Sequence, residues 1–545
     1  MSHSERVQEH AYKRRWLILL VLCFSLLVIV LDNTILNVAI PTLSKQLEPT
    51  NSQLQWMVDS YTLVFAGLLL TAGSLGDRFG RRGALQVGLV IFGFGSLLSA
   101  LAGSADQLIA TRAFMGIGGA FIMPATLSII TNVFPANERG RAIGVWAGTA
   151  GIGIALGPLT GGFLLEHFYW GSIFLVNLPI VAIGLTAGVF LIPTSRDPNA
   201  SRLDPLGAVL SITGLTALLY AIIEAPQDGW TDPMILASFG VAIVLLGAFI
   251  WWQRTTDHPM LDVRFFKNPR FTAASTGITM TFFAMFGATF LLTQYMQFVL
   301  GYSPLEAGIR LLPFALIILV MSPLSARVVE LLGTKVTVAA GLAIAGTALA
   351  LMTGLQVSSS YGDLVWRMML MAFGQALVMA PATESIMGSL PLAKAGVGSA
   401  VNDTTRQIGG ALGVAIVGSV MSSAYTSKIG DLFAGTPSAG SAAEQTAKDS
   451  LGGALAVAAR APQKLGQLLE SVAKSAFVDG MHTGVVVAAG AAFLGAIVAA
   501  LWLPARARDV DSDEQAHEFA DEHAGESFPE IDLATQQVAD TPAEI

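Results

Sequence analysis

Between residues 16 and 503 the chain is a succession of apolar runs separated by short charged or Pro/Gly-rich links. A helix rises about 1.5 Å per residue, so about 20 apolar residues cross about 30 Å of hydrocarbon. Runs of this length are about twice what a barrel strand needs, and a helix satisfies its own backbone hydrogen bonds in lipid. The runs lie near 16–40, 56–75, 83–103, 108–131, 142–165, 171–192, 205–224, 234–253, 271–297, 305–326, 336–354, 363–388, 398–425 and 479–503. Of the 545 residues 53% are hydrophobic and only 12% charged, about half the charge of a soluble chain. The fold class expected is an all-α polytopic membrane protein of about 14 spans. The first run is too long for a signal peptide and lacks a small-residue cleavage site.

Orientation is read from the links. The segment Gly73-Ser74-Leu75-Gly76-Asp77-Arg78-Phe79-Gly80-Arg81-Arg82 joins two runs so tightly that they form an antiparallel hairpin, and its arginines mark the cytoplasmic side. An even number of spans puts both termini on that side; the links then facing inward hold 20 Lys/Arg and those facing outward hold 6. The net charge of −8 comes from the end of the chain: residues 505–545 hold 12 acids and 2 arginines, leaving the rest at +2. That acidic segment, 504–545, reads as a disordered cytoplasmic tail. Residues 426–478 read as a long outer loop, either semi-ordered or carrying a short surface helix at Leu465, Leu468, Leu469 and Val472. The single cysteine, Cys23, excludes an internal disulfide and a cysteine-based metal cluster.

The second half echoes the first at an offset of about 255. Residues 326–335 form a worn copy of 73–82, with Glu330 matching Asp77, Gly333 matching Gly80 and Lys335 matching Arg82. Span four has Arg112 followed by residues 119–126, and span twelve has Arg367 followed by the similar 375–383. The organisation expected is a six-helix bundle in 1–192, two additional helices with linkers in 193–270, and a second six-helix bundle in 271–503.

Ionisable residues inside spans are functional candidates. Counting along the helices puts Asp32 of span one, Asp59 of span two and Arg112 of span four at one depth, in the outer half. Burial and a neighbouring arginine act on a carboxylate's proton affinity in opposite directions, which suits a group that titrates as the site alternates between sides. A static Asp32–Arg112 pair locking helices together is the other reading. In span five, Gly148, Gly151, Gly153, Gly157, Pro158, Gly161 and Gly162 allow close helix approach and a bend, which is also what generic packing uses. Asp77 is placed to cap span three, and Glu138, Arg139 and Arg141 lie in the next cytoplasmic link. Arg78, Arg81 and Arg82 double as topology signals. Glu384 of span twelve, with Asp403 and Arg406 of span thirteen, are candidates for a substrate or second proton site. No phosphate-cradling Gly-x-x-x-x-Gly-Lys-Ser/Thr loop is present, and His258, His482, His517 and His523 are too scattered for a metal site.

As strings, residues 73–82, Leu31 to Pro41 with Asp32, Arg112 with its glycines, and the Gly157-Pro158 stretch resemble signatures of the major facilitator superfamily. With fourteen spans, Gly301 to Gly308 and Asn402 to Gly413, they are similar to its drug:proton antiporter branch. The resemblance runs from Trp16 to Pro504. It implies a transporter, not an enzyme, that exports amphipathic compounds, cationic or neutral, by alternating access. Its energy source is then the proton gradient, with no cofactor and no bound metal. Its partners are a small-molecule substrate, protons and membrane lipids, with no nucleic acid, and it acts as a monomer in the bacterial plasma membrane. By the same resemblance Gly73, Asp77, Arg78, Gly80, Arg81 and Arg82 act as a conformational gate with Glu138 and Arg141, and Gly153, Gly157, Pro158 and Gly161 mark the antiporter helix. A dedicated exporter of an endogenous metabolite, lipid or self-made antibiotic would carry the same strings.

Overall fold

The structure, a computed structural model, describes residues 12–47, 49, 51–196, 203–434 and 440–505. Among these, fourteen helices are long and apolar enough to cross a membrane, so every expected run is a helix. In chain order they are α1 (Arg15–Gln46), α2 (Asn51–Phe79), α3 (Arg81–Ala100), α4 (Ala105–Val133), α5 (Ala136–His167), α6 (Ser172–Leu191), α7 (Pro205–Asp228), α8 (Pro233–Thr255), α9 (Pro269–Val299), α10 (Leu305–Leu332), α11 (Thr334–Met352), α12 (Tyr361–Met387) and α13 (Ala395–Phe433). Two short helices follow, α14 (Ala442–Asp449) and α15 (Leu451–Arg460), and then the last long one, α16 (Gln463–Trp502). The acidic tail, apart from Pro504 and Ala505, lies outside the described residues.

Local chemistry sets the helix starts. Asp204, Asp232 and Asn268 each precede a proline and accept from a backbone N–H of the first turn of α7, α8 and α9, the arrangement that satisfies orphan donors while proline holds the entry dihedral. Gly80 and Gly333 stand before α3 and α11 at φ 111° and 81°, a region side-chain-bearing residues avoid. Their spacing matches the repeat, as does the packing beside them. Gly88 of α3 meets Gly118 of α4, and Gly341 of α11 meets Gly374 of α12, each pair so close that a Cβ on either member would clash with its partner's carbonyl oxygen.

The buried apolar residues form two clusters, one drawn mainly from α1–α6 and one mainly from α9–α16. The two meet where α5 packs on α10 and α12, and where α13 packs on α2 and α4. Helix α7 bridges α2 and α13, whereas α8 packs chiefly on α7. The expected outer loop 426–478 is corrected for most of its length. Residues up to 433 continue α13, α14 and α15 occupy 442–460, and the stretch with Leu465 and Leu468 begins α16. Leu469 is buried there while Leu465 and Leu468 are exposed, so the amphipathic pattern belongs to the start of a 40-residue helix.

Candidate functional site: buried charges in two half-bundles

For orientation, the end of the bundle that carries residues 73–82 is called here the basic end. Asp32 lies 17 residues beyond Arg15, about 25 Å from that end. It is 2% exposed and Arg112 is 0% exposed. The Arg112 guanidinium forms an ion pair with Asp32 Oδ2 through Nη1, donates through Nε to the Met57 carbonyl at 3.2 Å, and lies over the Tyr61 ring at 4.5 Å. The other carboxylate oxygen, Oδ1, accepts from Asn177 Nδ2 at 3.0 Å. That same Nδ2 lies 3.0 Å from Ser96 Oγ, and Ser96 donates to the Phe174 carbonyl at 2.8 Å. Five helices (α1, α2, α3, α4 and α6) thus converge on one carboxylate. Asn177, Ser96 and Tyr61 were not expected from the sequence; the one available signal was a lone amide in the apolar run of span six.

Asp59 does not join them. It sits beside Gln55 and near Glu224 of α7, next to Trp56, which stacks on Tyr220 at 6.1 Å. Met57 and Tyr61, one turn apart, face Arg112, and Asp59 between them points away by about 200° from Met57. The expected three-residue group is therefore corrected in its membership, to the Asp32–Arg112 pair plus the Asn177 amide, with Asp59 facing α7.

A second polar cluster links the halves nearer the basic end. Asp403 and Arg406 are both buried in α13. Arg406 donates to Thr383 Oγ1 at 2.9 Å, Thr383 to Asn402 Oδ1 at 3.1 Å, and Asn402 to Asp403 Oδ1 at 3.2 Å. The Arg406 guanidinium lies 5.0 Å from the ring centre of Trp146, a residue of α5, and 5.3 Å from that of Phe282 in α9. Arg367, the sequence echo of Arg112, instead holds the Leu351 carbonyl at 3.0 Å and has no place in this cluster.

At the basic end the halves are fastened by backbone. Asp77 belongs to the last turn of α2 and accepts from the N–H groups of Gly396 at 2.8 Å and Val397 at 3.0 Å. It therefore caps α13 in the other half, not α3 as expected. Arg81 is paired with Asp77 at 2.8 Å and donates to the carbonyls of Leu392 and Ala393 at 2.6 and 3.0 Å. Gly73 lies so near Gly396 that a Cβ would stand 2.5 Å from its carbonyl oxygen and 2.7 Å from Ala400 Cβ. Arg82 reaches the Ile192 carbonyl at 3.2 Å, and Arg78 lies over the Phe79 ring. The expected partners are elsewhere. Glu138 pairs with Arg15 at 2.6 Å, and Arg141 lies over the Trp16 ring at 5.1 Å. Glu384, half-buried, packs against Gly140 of α5, whose Cβ would come 2.9 Å from its Cδ.

The glycines of α5 sort onto two faces. Cβ atoms at Gly144 and Gly151 would come 2.6 and 2.7 Å from the Ser322 and Ala315 carbonyl oxygens of α10. Those at Gly153, Gly157 and Gly161 would meet α1, at 2.5 Å from Val30 Cγ1, 2.5 Å from Thr34 Cβ and 3.3 Å from Ile35 Cγ2. Thr34 Oγ1 donates to the Gly153 carbonyl at 3.2 Å, and Pro158 packs against Gly308. Among the described residues no group of three His, Cys, Asp or Glu could hold a metal ion.

Residues 22–414 match the sequence profile described as Major Facilitator Superfamily. The chain is 36% identical over 480 residues to the multidrug efflux pump LfrA of Mycolicibacterium smegmatis, covering 87% of this chain and 94% of that one. It is 30% identical to the tetracenomycin C resistance and export protein of Streptomyces glaucescens, covering 93% and 94%. The solved human organic anion transporter MFSD10 shares its fold at a TM-score of 0.57 and 14% identity, with 92% of this chain and 100% of that one covered.

Proposed function

Because this chain belongs to the major facilitator superfamily, we propose that it exports amphipathic organic compounds, cationic or neutral, in exchange for protons. The observation that carries the reading is the Asp32 carboxylate, buried with both oxygens held by groups from α4 and α6. A carboxylate placed at that cost in an apolar core is a natural proton carrier, and the name of the mycobacterial relative supports the class of cargo. The basic end faces the cytoplasm of a bacterial plasma membrane, with both termini on that side, by the excess of Lys/Arg in its links. The Asp77–Arg81 fastening to 392–397 then closes the cytoplasmic side, and its release opens the path for cargo. Arg406, Trp146, Phe282 and Asp403 offer a charged and aromatic surface between the halves for cargo or a second proton. Glu384 serves the seam with α5 instead. The protein works as a monomer among lipids and needs no cofactor beyond the proton gradient.

The test is transport by purified protein in proteoliposomes under an imposed pH gradient, with a panel of lipophilic cations and neutral aromatics. Asp32→Asn is expected to abolish gradient-driven transport while retaining binding; undiminished transport by that variant overturns the reading. A second reading, export of one dedicated compound, is supported by the Streptomyces relative, named for resistance to and export of tetracenomycin C and similar over 93% of this chain. Transport of a single compound from extracts of the producing cell, with none of the panel moved, would favour it.

A further inference from the structure

We infer that Asn177 reads the protonation state of Asp32 by exchanging its amide donor for its amide acceptor, and passes that state to the break in α6. The inference rests on Asp32 being the proton carrier, and it names a positioning residue for that role.

An ionised carboxylate only accepts hydrogen bonds, whereas a neutral carboxyl must also donate one. The titratable groups facing Asp32 are Arg112 of α4 and Tyr61 of α2. Helices α3 and α6 present the neutral Ser96 and Asn177, and α5 presents its glycine face to α1. Arg112 has donors only, and it already occupies the Met57 carbonyl. Of the two side chains that hold the Asp32 oxygens, Asn177 alone offers both a donor and an acceptor.

The structure holds Asn177 in its donating position. Its Nδ2 serves both Asp32 Oδ1 and Ser96 Oγ, while its own Oδ1 is buried with no hydrogen-bond partner. A half-turn of the amide exchanges the two atoms. Oδ1 then faces both neighbours and accepts the new O–H of Asp32, and the Ser96 hydroxyl can rotate to donate to it as well. That rotation takes the Ser96 hydroxyl away from the Phe174 carbonyl. Phe174 lies in the four-residue helical turn Ser172–Leu175, just before the helix restarts at Asn177. Protonation of one carboxylate therefore loosens the tie between α3 and the joint of α6, with no charged group having to move.

The experiment is infrared difference spectroscopy of the purified full-length protein on acidification, with asparagine isotopically labelled in its side-chain amide. The expected result is a carboxyl C=O band that is lost in Asp32→Asn, accompanied by an asparagine amide change that is lost in both Asp32→Asn and Asn177→Thr. In Asn177→Leu, which has neither donor nor acceptor, the carboxyl band shifts and its titration midpoint moves by about one pH unit, the tenfold change expected for one hydrogen bond to a charged group. Asn177→Thr, with a hydroxyl that both donates and accepts, recovers part of that displacement. Should no band depend on Asp32, the proton-carrier reading itself falls. An Asp32 band that titrates with no labelled-amide change overturns the role of Asn177, even if Asn177→Leu does not fold.

Discussion

Arg112 stands between two states of very different cost, a buried charge with a partner and one without. Removing one member of a buried pair strands the other, at about 3–5 kcal/mol, whereas replacing both is far milder. Arg112→Leu is therefore expected to lower stability by that amount, and Asp32→Asn in the same chain to restore most of it. Fluorescence-detected size exclusion after a heat ramp checks this; a double variant no more stable than Arg112→Leu alone would mean that the pair is not what the arginine serves. Asp32 and Arg112 were legible in the sequence because a charge in an apolar run has few innocent explanations. Asn177 was not, since a neutral amide is common in helices and nothing in its neighbours announces a carboxylate 145 positions earlier. Asp59 shows the opposite error. Counting residues gives depth along a helix but not the direction in which a side chain points, and Asp59 has the depth of Arg112 while facing α7.

At the scale of the helix, α5 is the element on which both seams depend. One glycine face admits α10 from the other half and the second admits α1, so a single helix is held by two close contacts of different kinds. Gly157→Ala is expected to destabilise the first half by about 1–3 kcal/mol through overpacking against Thr34. Thr34→Gly in the same chain should recover most of the loss, because it removes the opposing Cβ. Thermal unfolding of the two single variants and the double variant decides it; independent, additive effects would show that the contact is not tight. The glycine run itself was plain from the sequence. Its division into two faces was not, because the partner helices are set by tertiary packing.

Across the whole molecule, the link between α2 and α3 acts on the other half rather than on its own hairpin. Asp77→Asn weakens charge-assisted bonds to Gly396 and Val397 and the pair with Arg81, each worth about 1.5–3 kcal/mol. The population closed at the basic end is expected to fall about tenfold or more, slowing every cargo alike. Spin labels at Gly83→Cys and Lys394→Cys would report the widening, and loss of one cargo with retention of another would contradict it. The span count was legible because each span is a long apolar run, whereas the hold of Asp77 on Gly396 and Val397 was not, since no local string names a partner some 320 positions later. The segment 426–478 was not, since its Ala- and Gly-rich composition resembles a loop yet continues the helices on either side.

The depth of the Asp32–Arg112 pair also has an electrical meaning. Arg112 lies 7 residues into α4 from the far end; with Asp32 as the proposed proton carrier and the basic end cytoplasmic as proposed, a proton entering from the far side descends only about 10 Å, a third of the field across the core. About 0.8 kcal/mol per 100 mV then acts on loading and about twice that on delivery to the opposite side. Membrane voltage is thus expected to speed proton release into the cell more than proton uptake from outside. Charge displacement recorded on a solid-supported membrane after an external pH step should accordingly be small, and the larger displacement should appear only once cargo allows the protein to turn over.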